Sequence, residues 1–68
     1  MKFELNGQEY IELMKLLKFL GLVDSGTEAK MVIDNGEVRV NGQTELRRRC
    51  KIRSGDKVEF EDEVIEVV

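Results

Sequence analysis

The stretch SGTEAKMVIDNGEVRVNG, residues 25–42, decides the fold. Ser25, with Glu28 three residues on, is the clearest helix start in the chain. A serine hydroxyl accepts one of the free backbone N–H groups of a first turn. A glutamate at the third helical position answers back and favours the positive helix end. Ala29, Val32 and Ile33 recur at helical spacing, with Met31 partly beside them, and Asn35-Gly36 stops the helix. The period then changes from helical to alternating. Val38 and Val40 alternate with Glu37 and Arg39, and Asn41-Gly42 follows as a tight-hairpin signal, because the favoured two-residue turn needs positive φ at both central positions.

Upstream, Tyr10, Leu13, Met14, Leu17 and Leu20 keep the three-and-four spacing of one helical face, widened by Ile11, Leu16 and Phe19. The pattern predicts a first helix from about residue 8 to 20, stopping near Gly21, with Asn6 and Glu9 as a capping box. Phe3 and Leu5 alternate with Lys2 and Glu4 as a short strand that Asn6-Gly7 ends. Downstream, Gln43 to Leu46 reads as weak strand or loop. Cys50 and Ile52 alternate with Lys51 and Arg53, Ser54-Gly55-Asp56 turns the chain, and Val58 and Phe60 begin another alternation. Asp62-Glu63 turns again before Val64, Ile65, Val67 and Val68. The expected class is α+β: two N-terminal helices packed on a small, mainly antiparallel sheet, whose first strand joins the last. Residues 1–68 are read as a single domain.

Composition removes most chemistry. The 68 residues contain no His and one Cys, which leaves a zinc site of ordinary ligands close to excluded and a Ser-His or Cys-His nucleophile pair impossible. No metal, cofactor or catalytic residue is expected, so the chain is not read as an enzyme. Lone Cys50 is most simply a small core residue and points to a cytosolic, reducing compartment. The apolar-rich stretch Tyr10 to Leu22 is broken by Glu12, Lys15 and Lys18, too short for a membrane span.

Charge is unevenly spread. The net charge is −3, yet residues 39–57 hold seven bases (Arg39, Arg47, Arg48, Arg49, Lys51, Arg53 and Lys57) and two acids, Glu45 and Asp56. The other residues hold four bases and twelve acids. Three adjacent arginines repel one another, and guanidinium forks suit phosphate oxygens. The competing interpretation is a solvated basic face that balances fourteen acids. Ser25-Gly26-Thr27 opens a helix whose free N–H groups can meet an anion, but Glu28 in the same turn favours plain capping. Phe3, Tyr10 and Phe60 fall on apolar stripes and read as core, while Phe19 lies at a stripe edge.

The order of these pieces resembles the S4-type RNA-binding domain. Its pattern is carried by Gly21-Leu22, Ser25, Ala29, Gly36-Glu37-Val38-Arg39-Val40-Asn41-Gly42 and Gly55-Asp56-Lys57-Val58, over roughly residues 10 to 60. The small stand-alone bacterial members are the most similar. The resemblance implies the S4-like fold with its αL motif and a non-catalytic, cytoplasmic module that binds structured RNA, ribosomal or transfer. It departs from the pattern where Gly26 replaces an arginine common after the helix-two serine. Glu12-Leu13-Met14 likewise replaces an Arg-Leu-Asp triplet. The phosphate contacts then fall to Arg47, Arg48, Arg49 and Lys51, with Lys18, Lys30 and Arg39 at the margins. Arg53 is set aside because Asp56 and an acidic hairpin follow it. A monomer is the default expectation. A second resemblance, of MKFELNGQEY and the late G-D-x-V-x-F, is to ubiquitin-like sulfur carriers, but the ending Glu66-Val67-Val68 lacks their Gly-Gly tail, leaving only a protein-docking role.

Overall fold

A computed structural model describes residues 1–68. In chain order the elements are β1 (Lys2–Phe3), β2 (Ile11–Glu12), α1 (Leu13–Phe19), α2 (Gly26–Asp34), β3 (Val38–Val40), β4 (Gln43–Thr44), β5 (Lys51–Ile52), β6 (Lys57–Phe60) and β7 (Glu63–Val67). Five strands form one sheet in the order β1-β7-β6-β3-β4, and β2 pairs with β5 as a separate ribbon. Only β1–β7 is parallel; the other pairings are antiparallel. The expected α+β class, and the joining of the first strand to the last, are what the chain adopts.

The core is wholly apolar. Leu13, Leu16 and Leu17 of α1 and Ala29 and Ile33 of α2 meet Val38, Val58, Phe60, Ile65 and Val67 of the sheet. Ile52 anchors the small ribbon in the same cluster. No charged or polar side chain is buried. All eleven Lys and Arg side chains are therefore free to shape the surface.

The second helix starts as its sequence predicts: Ser25 Oγ accepts the Glu28 N–H at 3.1 Å. Glu28 reaches one residue beyond the cap, its Oε1 accepting the Asp24 N–H at 2.6 Å. Both helices end alike. Gly21 and Gly36 take left-handed φ values of 73° and 75°. Leu22 N–H then bonds Leu17 O, and Glu37 N–H bonds Val32 O, satisfying carbonyls that would otherwise be orphaned.

The first helix departs from expectation. It begins at Leu13, not near residue 8. Asn6 and Gly7 both have positive φ, 53° and 89°, and form a chain reversal closed by Gln8 N–H to Leu5 O at 3.1 Å. Asn6 therefore turns the chain and caps nothing. Ile11 and Glu12 are instead drawn into a ladder with Ile52 and Lys51.

Candidate nucleic-acid interface

Helix α1 has no side-chain cap at its start. Its first N–H groups are satisfied from far along the chain: Leu13 N–H donates to Cys50 O at 2.9 Å and Met14 N–H to Arg48 O at 3.1 Å. These bonds clasp the turn of residues 47–50, itself closed by Cys50 N–H to Arg47 O at 3.2 Å, onto the helix. The arginine run is thus held by its backbone, leaving its side chains outside.

Register does the rest. In an antiparallel pair, directly opposed residues share a face. Ile11 opposes Ile52 on the core side, and Glu12 opposes Lys51 on the solvent side. Lys51 and Arg53, two apart, extend outward together, and Tyr10 lies beside them. Lys51 Nζ is 5.0 Å and Arg53 Cζ 6.0 Å from the Tyr10 ring centroid. Cations over an aromatic face are attracted by its quadrupole. Arg47, Arg49, Lys51 and Arg53 surround a shallow concavity with Cys50 at its base.

Two of the arginines are already engaged. Arg47 donates to both oxygens of Glu45, at 2.9 and 3.1 Å. Arg48 donates from Nε to Asp34 Oδ1 at 3.0 Å and from Nη2 to Oδ2. The Arg47 side-chain bonds hold the Glu45 carboxyl down at about 2, against the opposing effect of burial. The Arg48 bonds depress Asp34 in the same way, helped by the charge of Lys30. Cys50 moves upward, mainly because burial disfavours the thiolate and Glu45 reinforces this, so the thiol is not activated by its cationic surroundings.

The expected site residues divide accordingly. Arg47, Arg49 and Lys51 come together at the concavity. Arg48 turns toward the end of α2, where Lys30 also stands near Asp34. Lys18 lies on α1 in a separate groove beside Phe19. Arg39 opposes Thr44 and Glu59 on the solvent face of the large sheet, opposite in sense to buried Val38, and does not line the concavity. Two further side chains, Arg53 and Tyr10, stand at this face. The nearness of Asp56 in sequence argues against Arg53, yet that carboxylate is taken by the Asn41 side-chain amide and by the Arg53 backbone N–H. Tyr10, read as core, is only half-buried. The alternation Lys51-Ile52-Arg53 already placed Arg53 on the same face as Lys51, which was the available signal.

Residues 3–68 match the S4 domain family. YbcJ of Escherichia coli (strain K12) is 42% identical over 66 residues, which cover 97% of this chain and 94% of YbcJ. The solution structure of E. coli YbcJ, described as revealing an αL motif involved in RNA-binding, superposes with a TM-score of 0.75 over 98% of this chain and 85% of that one. The 30S ribosomal protein S4e of Thermoplasma acidophilum gives a TM-score of 0.69 at 26% identity, over 84% of this chain and 30% of S4e. These findings favour the first resemblance over the ubiquitin-like one. No helix is long and apolar enough to cross a membrane. With this sequence match and the two-helix, mainly antiparallel αL architecture in agreement, the chain belongs to the non-catalytic S4 domain family.

Proposed function

We propose that the chain binds folded RNA of the ribosomal or transfer type through its sugar-phosphate surface, without catalysis. One observation carries this reading. The turn of residues 47–50 is clasped to the start of α1, so that Arg49, Lys51 and Arg53 stand exposed around one concavity with no carboxylate within salt-bridge distance. Arg47 also lines it, with its fork on Glu45, while Arg48 pairs with Asp34 at the end of α2 and lies farther out. Lys18, Lys30 and Arg39 are the outlying contacts, with Arg39 the weakest candidate because Glu59 opposes it. The similarity to YbcJ and to a ribosomal protein supports RNA as the polyanion and ribosomal RNA as the first to test.

Binding of this kind releases counterions, and duplex RNA offers mainly phosphates and 2′-hydroxyls to a protein surface. With about four to six phosphates met, log affinity falls against log salt with a slope of roughly −3 to −5. The test is fluorescence anisotropy of a labelled ribosomal RNA hairpin against salt. Replacing Arg49, Lys51 and Arg53 together by Ala removes most of the affinity and flattens the slope by about 3, with circular dichroism unchanged. Unchanged affinity in that triple variant overturns the site.

A further inference from the structure

We infer that a groove beside the concavity, centred on Phe19, receives an unpaired nucleotide that continues from the docked RNA, its base stacking on the Phe19 ring. This rests on the RNA binding proposed above and adds a second, single-stranded element to it.

Phe19 is 74% exposed, the most exposed large apolar side chain in the molecule. It follows the buried stripe of Leu13, Leu16 and Leu17 but points away from it. The ring is not free to wander. Phe3 packs perpendicular to it, with centroids 5.5 Å apart and planes at 82°. Phe3 is in turn fixed by its pairing with Val67. An aromatic held in place and left in water is the surface a base stacks on, since every base has a π-face.

The walls of the groove say what fits. Lys15 and Lys18 line the groove with Phe19 from α1, and Lys2, Glu4, Glu9 and Glu12 line it too, with Glu12 paired to Lys15 at 3.4 Å. Phosphates on both sides, as in a duplex, would meet those acids. A single strand that keeps its backbone beside Lys18, which has no carboxylate within salt-bridge distance, and turns a neutral base inward meets the fewest of them. The groove also reaches Tyr10, whose ring carries Lys51 and Arg53 from the basic concavity. One surface therefore leads from the arginines across Tyr10 to Phe19, which favours a continuation of the same RNA over an unrelated partner.

The test compares one hairpin RNA in two forms, blunt and with a six-nucleotide single-stranded extension. The extension tightens binding to the unmodified chain by roughly tenfold. Phe19→Ala erases that difference and leaves the affinity for the blunt hairpin unchanged. Phe19→Trp keeps the difference and, as the only tryptophan in the chain, is quenched by the extended RNA and not by the blunt one. Equal affinities of the unmodified chain for both forms overturn the inference while sparing the proposed function; no binding of either form overturns both. A Phe19→Ala variant that loses self-association in sedimentation but keeps the extension effect assigns Phe19 to a contact between copies and also overturns it.

Discussion

Asn41 and Asp56 join the two turns that bracket β3 and β6. The Asn41 amide donates to Asp56 Oδ1 at 3.0 Å, and its carbonyl oxygen accepts the Lys57 N–H at 2.9 Å. Asn41 also holds a positive φ of 52°, and its own N–H bonds Lys57 O at 2.7 Å. The second Asp56 oxygen takes the Arg53 N–H at 2.7 Å. The asparagine of the hairpin and the aspartate of the Gly55-Asp56 turn thus form one hydrogen-bonded junction, and that junction sets where β5 ends and how Arg53 leaves it.

Two substitutions separate the contributions at Asn41. Asn41→Gly keeps the left-handed backbone and loses the side-chain bonds, which costs about 1–2 kcal/mol. Asn41→Ala loses the same bonds and adds the strain of a Cβ at positive φ, for a further loss of about 1 kcal/mol. Urea denaturation of both variants checks the order. Equal midpoints for Ala and Gly would show that backbone conformation contributes nothing there.

Ser25 gives a simpler case. Its hydroxyl is the side-chain cap of α2, and Ala29 and Ile33 of that helix are fully buried. Ser25→Ala lowers stability by about 1 kcal/mol, and Ser25→Asp retains most of it because a carboxylate also accepts the N–H. The measurement is the chemical denaturation midpoint at neutral pH. A Ser25→Asp variant as weak as Ser25→Ala contradicts the capping account.

The contrast between the two helix starts shows what a sequence can reveal. Ser25 and Glu28 are close in sequence, and so are Asn41 and Gly42, so their chemistry is readable from a few letters. The start of α1 is set by the carbonyls of Arg48 and Cys50 and by the pairing of Ile11 and Glu12 with β5. No local signal at residues 8–12 carries that information, and the Asn6–Glu9 spacing imitated a cap. The same reasoning applies to the site. The arginine run was plain as a cluster, but Arg48 finds its carboxylate fourteen positions away on α2. Asp56 is near Arg53 in sequence, yet it spends its oxygens on backbone and amide donors.

Glu45 links acid stability to the thiol. Its carboxyl is depressed from 4.5 to about 2, chiefly by the Arg47 side-chain bonds. A group with a depressed folded-state value contributes its stability in full above its unfolded value and loses it as pH falls through the folded one. The Glu45–Arg47 contribution is therefore complete above about pH 4.5 and is lost on descent to about 2. Glu45→Gln flattens the stability profile in that window. It also lowers the Cys50 value, since Glu45 is the second cause of its elevation after burial. Thiol alkylation rates across pH 7–10 read this as a shift toward lower pH; an unshifted profile means that burial alone sets the thiol.

Glu12 is the one acid built into the basic ribbon. It opposes Lys51 across the β2–β5 pair, and its Oε1 lies 3.4 Å from Lys15 Nζ. At this position it attenuates the potential that Lys51 and Arg53 project. Glu12→Gln keeps the size and removes one negative charge, which leaves both lysines unopposed there. RNA affinity then rises by about two- to fivefold at low salt, and the gain shrinks as salt screens it over a Debye length of about 10 Å at 0.1 M. Arg39→Ala on the far face of the sheet is the matched control and changes affinity little. Anisotropy titrations at two salt concentrations decide the matter. A Glu12→Gln variant that binds no better, or an Arg39→Ala variant that binds as poorly as Lys51→Ala, places the RNA on a different surface from the Tyr10–Lys51–Arg53 face.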